Sequence, residues 1–280
     1  MREIKTGAIV DAVREMCIEA NRELPADVAD RIRAGGGAEP WPPARDTLEK
    51  LVENFEIAHR EKIPICQDTG MACVFIELGQ DVHLSGIPLA EAVNEGVRRG
   101  YAQGFLRKSV VADPLRRRNT GDNTPALLHV DIVPGDQMEI LVAPKGFGSE
   151  NMSRLAMFPP AAGERGVKDF VVETVKMAGP NPCPPIVVGV GIGGSFDRVA
   201  LLAKKALLRP LDRPHSDPYY AAMEKELLER INALGIGPQG FGGLTTALGV
   251  NIETFPTHIA GLPAAVNINC HVSRHAARTL

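Results

Sequence analysis

Asn181-Pro182-Cys183-Pro184-Pro185-Ile186-Val187-Val188-Gly189-Val190-Gly191-Ile192-Gly193-Gly194-Ser195 is the stretch on which the fold turns. Proline fixes φ and lacks a backbone N–H, so the loop around Cys183 is stiff and can hold a ligand accurately. Ile186–Gly191 is a β-branched run without polar alternation, the pattern of a strand buried on both faces. Gly193-Gly194-Ser195 makes a sharp turn into a helix that continues through Val199, Leu202, Ala203 and Ala206. Gly189, Gly191 and Gly194 meet the G-x-G-x-x-G spacing of a dinucleotide loop. However, no acidic residue closes a second strand about twenty residues later, where a ribose partner belongs. A sharp strand-to-helix turn that needs small residues is the better reading, although amides at this helix start could face a carboxylate or a cluster sulfide.

On the N-terminal side, Ala8, Ile9, Ala12, Val13, Met16, Cys17 and Ala20 give residues 7–23 an amphipathic helical pattern, with Cys17 in its apolar stripe. A short helix follows over 25–33, then a flexible glycine loop over 34–40. A further helix over 45–61 stops before Pro64. Met71–Leu78 reads as a strand that buries Cys73, and Pro88 opens a helix running to about Phe105. Leu127–Val133 and Met138–Ala143 read as a hairpin across Pro134-Gly135-Asp136-Gln137. Beyond the central stretch, residues 163–178 and 217–234 are helical, and 245–252 and 262–268 are strands. Helices lead and a mixed strand–helix region follows, which predicts an α+β fold. We expect one domain over 1–280, with a helical lobe at about 1–62, a mixed region at about 63–280 and no linker between them.

Composition narrows the function. The chain has 280 residues, 44% hydrophobic and 23% charged, ordinary values for a folded protein. A net charge of −3 gives no global positive field for nucleic acid, and Arg116-Arg117-Arg118 reads as a solvated loop. Five dispersed cysteines do not make a secreted disulfide scaffold. Met1–Lys5 shows no signal-peptide apolar region, and no apolar run is long enough to span a bilayer. The expected location is the reducing cytoplasm.

Three cysteines stand beside turn-forming or polar motifs. They occur in Ile65-Cys66-Gln67-Asp68-Thr69-Gly70, in the proline loop at Cys183, and in Asn269-Cys270-His271. Converging, they could hold one iron–sulfur cluster and leave one iron open to substrate. With His271 and His275 close to Cys270, a structural Cys₃His zinc site in a non-catalytic assembly subunit is the competing reading. Lys145-Gly146-Phe147-Gly148-Ser149-Glu150-Asn151 is a second glycine-rich turn without the Lys-Ser/Thr ending of a nucleotide-binding loop. Its amides and Lys145 could grip a carboxylate. Arg107 could do so bidentately. Arg118–Pro125 is a polar turn, and His258 is a loop histidine suited to hydrogen bonding.

Together, Cys66-Gln67-Asp68-Thr69-Gly70, the 145–153 segment, the Cys183 loop with its Gly-Gly-Ser turn, and Asn269-Cys270-His271 resemble the iron–sulfur hydro-lyases, the class I fumarases and L-tartrate dehydratases. The likeness covers the chain from about residue 5 onward and is to the α subunit. It implies a 4Fe–4S cluster held by Cys66, Cys183 and Cys270. It further implies Asp68 as the acid/base group, and Gln67, Arg107, Gly146, Phe147 and His258 as substrate contacts. Some members have glycine where Phe147 stands, so if that amide binds substrate its side chain must point elsewhere. The implied function is reversible hydration of fumarate to (S)-malate, a tricarboxylic acid cycle step, with tartrate dehydration to oxaloacetate as the alternative. The resemblance also implies a separate β subunit completing the site, hence a hetero-oligomer acting on a small dicarboxylate.

Overall fold

A computed structural model describes residues 2–280. The chain is α+β and divides into two compact units. The first holds residues 1–24, 55–147 and 274–280, and the second holds 25–54 and 148–273. Residues 1–62, read from the sequence as one helical lobe, are therefore shared between the units. No helix among the described residues is long and apolar enough to cross a membrane.

The first unit contains β1 (Arg2–Lys5), α1 (Thr6–Arg22), β2 (Met71–Gly79), β3 (Val82–Ser85), α4 (Leu89–Gln103), β4 (Leu127–Val133), β5 (Met138–Lys145) and β10 (Ala276–Thr279). Its main sheet runs β10-β5-β2-β4, while β1 and β3 pair separately in parallel. The hairpin expected over 127–143 does not form, because β2 lies between its two arms. Val74 faces Leu128 of β4 in parallel register and Val142 of β5 in antiparallel register. The reason lies in the side chains. β2 is apolar on both faces and buried from Ala72 to Ile76, so it belongs at the centre. β4 alternates, with Val130 and Ile132 exposed, as suits an edge. The Pro134–Gln137 turn instead caps the end of β2, where Gly79 donates to Gln137 O at 2.8 Å and Gln80 to Val133 O at 2.8 Å. The apolar stripe of α1 (Ile9, Val13, Met16) and that of α4 (Val93, Val97, Tyr101) share one core with Val74, Ile76, Ile140 and Val142.

The second unit contains α2 (Ala26–Ala38), the part of α3 (Pro42–Glu61) up to Asn54, β6 (Arg154–Phe158), α6 (Gly163–Ala178), β7 (Ile186–Gly193), α7 (Phe196–Ala206), α8 (Pro218–Asn232), β8 (Ala247–Phe255) and β9 (Leu262–Asn269). A short helix α5 (Phe147–Glu150) stands at the junction of the two residue sets. The sheet order is β6-β9-β7-β8, with β7 parallel to β8 and antiparallel to β9. Helix α2 continues through Gly35-Gly36-Gly37, where the sequence predicted a flexible loop. Tertiary contact overrides glycine's weak helix propensity there. A Cβ on Gly35 would stand 3.2 Å from Thr245 Cγ2 and 3.6 Å from Leu48 Cδ1.

The glycines of β7 explain themselves in the same way. A Cβ on Gly189 would lie 2.2 Å from Ala203 O, and one on Gly191 2.2 Å from Val199 O. The strand lacks side chains where the α7 backbone rests on it, which is a packing role and not a nucleotide loop. Replacing Gly191 with alanine is expected to force these elements apart and to cost about 1–3 kcal/mol. Denaturant unfolding measures this, with the midpoint falling at unchanged slope.

Candidate functional site

In the first unit the site grows from the turn that joins α3 to β2. Gly70 has φ 77°, and a Cβ there would stand 2.7 Å from Lys145 N, so only glycine fits. That close approach brings the Cys66–Asp68 turn against the end of β5. Asp68 Oδ1 accepts the Gly70 N–H at 3.0 Å, closing a local side-chain turn. Its Oδ2 accepts the Phe147 N–H at 3.1 Å. A Cβ on Gly146 would lie 3.1 Å from Asp68 Oδ2, so the glycine leaves room for that carboxylate. Asp68, Gly146 and Phe147 thus come together. The Phe147 side chain is half-exposed while its amide is committed to Asp68. Thr69 Oγ1 donates to the Arg107 carbonyl at 2.9 Å, which ties that backbone to the turn and leaves the Arg107 side chain at the surface. Gln67 is exposed, and Cys66 and Asp68 are half-buried.

Beneath this turn lies a buried set of donors that the sequence reading missed. Arg274 Nη2 donates to the Asp68 carbonyl. The Tyr101 hydroxyl lies 2.7 Å from Thr69 O and 2.9 Å from Gly70 O. Asn123 Nδ2 donates to Gly70 O at 3.1 Å, and its Oδ1 accepts the Ser109 N–H at 2.7 Å. Burial pushes the Tyr101 hydroxyl far above its ordinary range, so it remains protonated and able to donate. Tyr101 sits on the apolar stripe of α4, and from sequence it is one more core aromatic. Asn123 falls in the polar turn over 118–125.

In the second unit two of the three cysteines stand beside adjacent strand ends. Val187 pairs with Asn269, so the start of β7 and the end of β9 lie side by side, with Cys183 just before one and Cys270 just after the other. The Cys183 carbonyl accepts the His271 N–H at 3.3 Å and lies 3.0 Å from His271 Nδ1. Cys183 itself has φ 54°, a left-handed conformation uncommon for a residue with a side chain. Its N–H donates to Pro180 O at 3.0 Å, and its side chain is exposed. Pro184 O accepts from Gln239 N at 2.8 Å and Gln239 Nε2 at 2.7 Å, which anchors the far side of the loop.

His258 is not brought to these cysteines. Its loop follows β8, whose last residue Phe255 pairs with Gly193 at the opposite end of β7. The intervening β9, eight residues long, spans about 25 Å at ~3.3 Å per residue. The same geometry corrects the idea that the Gly194 turn faces a cluster. It lies at the His258 end, where the Gly194 N–H donates to Pro256 O at 3.2 Å.

Three thiols at element ends are suitable donors for an iron–sulfur group. The buried guanidinium of Arg274 behind Cys66 and Asp68, whose Nε and Nη1 lack hydrogen-bond partners, fits an anionic group there.

The sequence model of the family described as Fumarate hydratase (Fumerase) matches residues 10–279. A chain of Methanocaldococcus jannaschii, provisionally named L(+)-tartrate dehydratase subunit alpha, is 43% identical over 278 residues, covering 97% of both chains. The L(+)-tartrate dehydratase subunit alpha of Escherichia coli K12 is 32% identical over 270 residues, covering 95% of this chain and 88% of its own. That of Shigella sonnei matches at the same identity and coverage.

Removing the hydroxyl in Tyr101→Phe takes a buried donor from the Thr69 and Gly70 carbonyls. The expected cost is about 1–3 kcal/mol, read as a lowered unfolding midpoint.

Proposed function

We propose that this chain, which belongs to the fumarate hydratase (Fumerase) family, is the α subunit of a two-chain hydro-lyase that dehydrates a hydroxylated four-carbon dicarboxylate. The observation that carries this reading is the match, over nearly the whole length, to relatives named as α subunits of L(+)-tartrate dehydratase. Those names favour L-tartrate, with oxaloacetate as product, over the fumarate–malate pair that the sequence reading put first. The fumarate reading stays as the second because the family description carries that name, and it alone would put the chain in the tricarboxylic acid cycle. A separate β subunit is proposed to complete the site, and the reducing cytoplasm is the proposed location.

Cys66, Cys183 and Cys270 are the proposed ligands of a 4Fe–4S cluster. When bound, such a cluster offers an iron without a protein thiolate as a Lewis acid for the substrate hydroxyl. The remaining work falls to the chain's own groups. Asp68 is proposed to take the proton from the carbon next to a carboxylate as the neighbouring C–O bond breaks. Its orientation supports the role, because one oxygen rests on the Gly70 N–H and the other on the Phe147 N–H. Arg107 is proposed to grip a substrate carboxylate with two parallel hydrogen bonds, its backbone held by Thr69. Gln67 and the amides at Gly146 and Phe147 complete the contact set on this chain. His258, at the other end of the β7–β9 pair, is left out of it.

Co-purification with the partner chain under anaerobic conditions tests the assignment. The complex is expected to turn over L-tartrate with a higher kcat/KM than malate, and the reverse order would restore the fumarate reading. Asp68→Asn should lower kcat about 10²–10⁴-fold with the cluster retained. Cys183→Ser should lose iron, and full iron content in that variant would refute its role as a ligand.

A further inference from the structure

Arg274 is 4% exposed, and only one of its guanidinium nitrogens is accounted for. Nη2 donates to the Asp68 carbonyl, while Nε and Nη1 are buried without a hydrogen-bond partner. Guanidinium does not lose its proton in proteins, so burial cannot be relieved by neutralisation. A buried charge without a partner is strongly unfavourable, and folds pair such groups or hold an anion against them. Arg209 illustrates the ordinary solution: with 10% of its side chain exposed, it pairs with Glu224 and, at 3.3 Å, with Glu253. Among the described residues Arg274 alone leaves two buried nitrogens of one guanidinium unpartnered. Its head is fixed at the turn two residues from Cys66, and its charge acts on the Tyr101 hydroxyl that holds the next two carbonyls.

We infer that Arg274 is a positioning residue with two tasks on one planar group. Nη2 pins the Asp68 carbonyl, and Nε and Nη1 supply hydrogen bonds and fixed positive charge to the sulfur anions of the iron–sulfur group on the Cys66 side. This rests on the reading of Cys66 as a cluster ligand. An iron–sulfur core carried by three thiolates has a net negative charge, and charge-assisted hydrogen bonds to its sulfurs lower the cost of housing it. In the apo chain the same guanidinium is a buried charge without its counter-ion. Arg274 therefore makes the fold favour the loaded state over the empty one.

The test uses the full chain before and after anaerobic reconstitution with ferrous iron and sulfide, as wild type, Arg274→Lys and Arg274→Met. Bound iron, the rate of iron loss to a chelator and the melting temperature are read in both states. For Arg274→Met we expect iron loss at least tenfold faster than in wild type. We also expect a smaller rise in melting temperature on reconstitution, with the apo variant melting no lower than the apo wild type. Arg274→Lys, which keeps the charge but not the planar fork, should lie between the two. Iron loss at the wild-type rate together with an undiminished rise on reconstitution would overturn the inference and leave Arg274 as a tie for the turn alone. Should Arg274→Met not fold, Arg274→Lys decides by the same two readings. Failure of the wild-type chain to take up iron would be a separate result, ending the cluster reading itself and this inference with it.

Discussion

Three successive carbonyls, those of Asp68, Thr69 and Gly70, are held from below by the buried donors Arg274, Tyr101 and Asn123. A loop cannot bury its backbone without partners for its polar groups. Here the partners come from α4, from the polar turn before β4 and from the segment leading into β10. Their convergence fixes the turn, and the fixed turn aims the Asp68 carboxylate at the 146–147 amides. The placement of the Asp68 carboxylate thus depends on a hydrogen-bond layer set beneath the turn. That layer depends in turn on the helix–sheet core that carries Tyr101.

Much of this was legible in the sequence where the signal is local. Ile186–Gly191 reads as a buried strand and is one, and the Gly193-Gly194-Ser195 turn after it leads into α7 as the sequence expected. The motifs around Cys66 and Gly146 stand out in the sequence as turns because polar residues and glycine crowd together there. What was not legible is long-range. The Pro134–Gln137 turn carries hairpin chemistry, yet the turn residues say nothing of a third strand that lies between the arms. The glycine run at 35–37 looks like a loop until Thr245 and Leu48 press on it. Arg274 in a terminal polar stretch reads as solvent-exposed, since arginine is rarely buried. His258 drew attention by residue type, but type cannot reveal that a whole strand separates it from Cys270.

The two residue sets divide the chemistry between them. One carries Cys66, Asp68 and the amides at Gly146 and Phe147, placed by a turn that glycine makes possible. The other carries Cys183 and Cys270, placed by the pairing of β7 with β9 and locked through His271. Neither depends on residue propensity alone. Cys183 occupies a backbone conformation that glycine would adopt more readily, so the sulfur is present against the local preference of the chain.

A backbone amide carries a single hydrogen, and the one on Phe147 is already spent on Asp68 Oδ2. On the reading of Phe147 as a substrate contact, a carboxylate that seats itself on that amide displaces the aspartate oxygen, and the displaced oxygen is left facing the newcomer. On that reading the resting contact is a safety catch, because the group proposed to abstract a proton is released only by the molecule that has one to give.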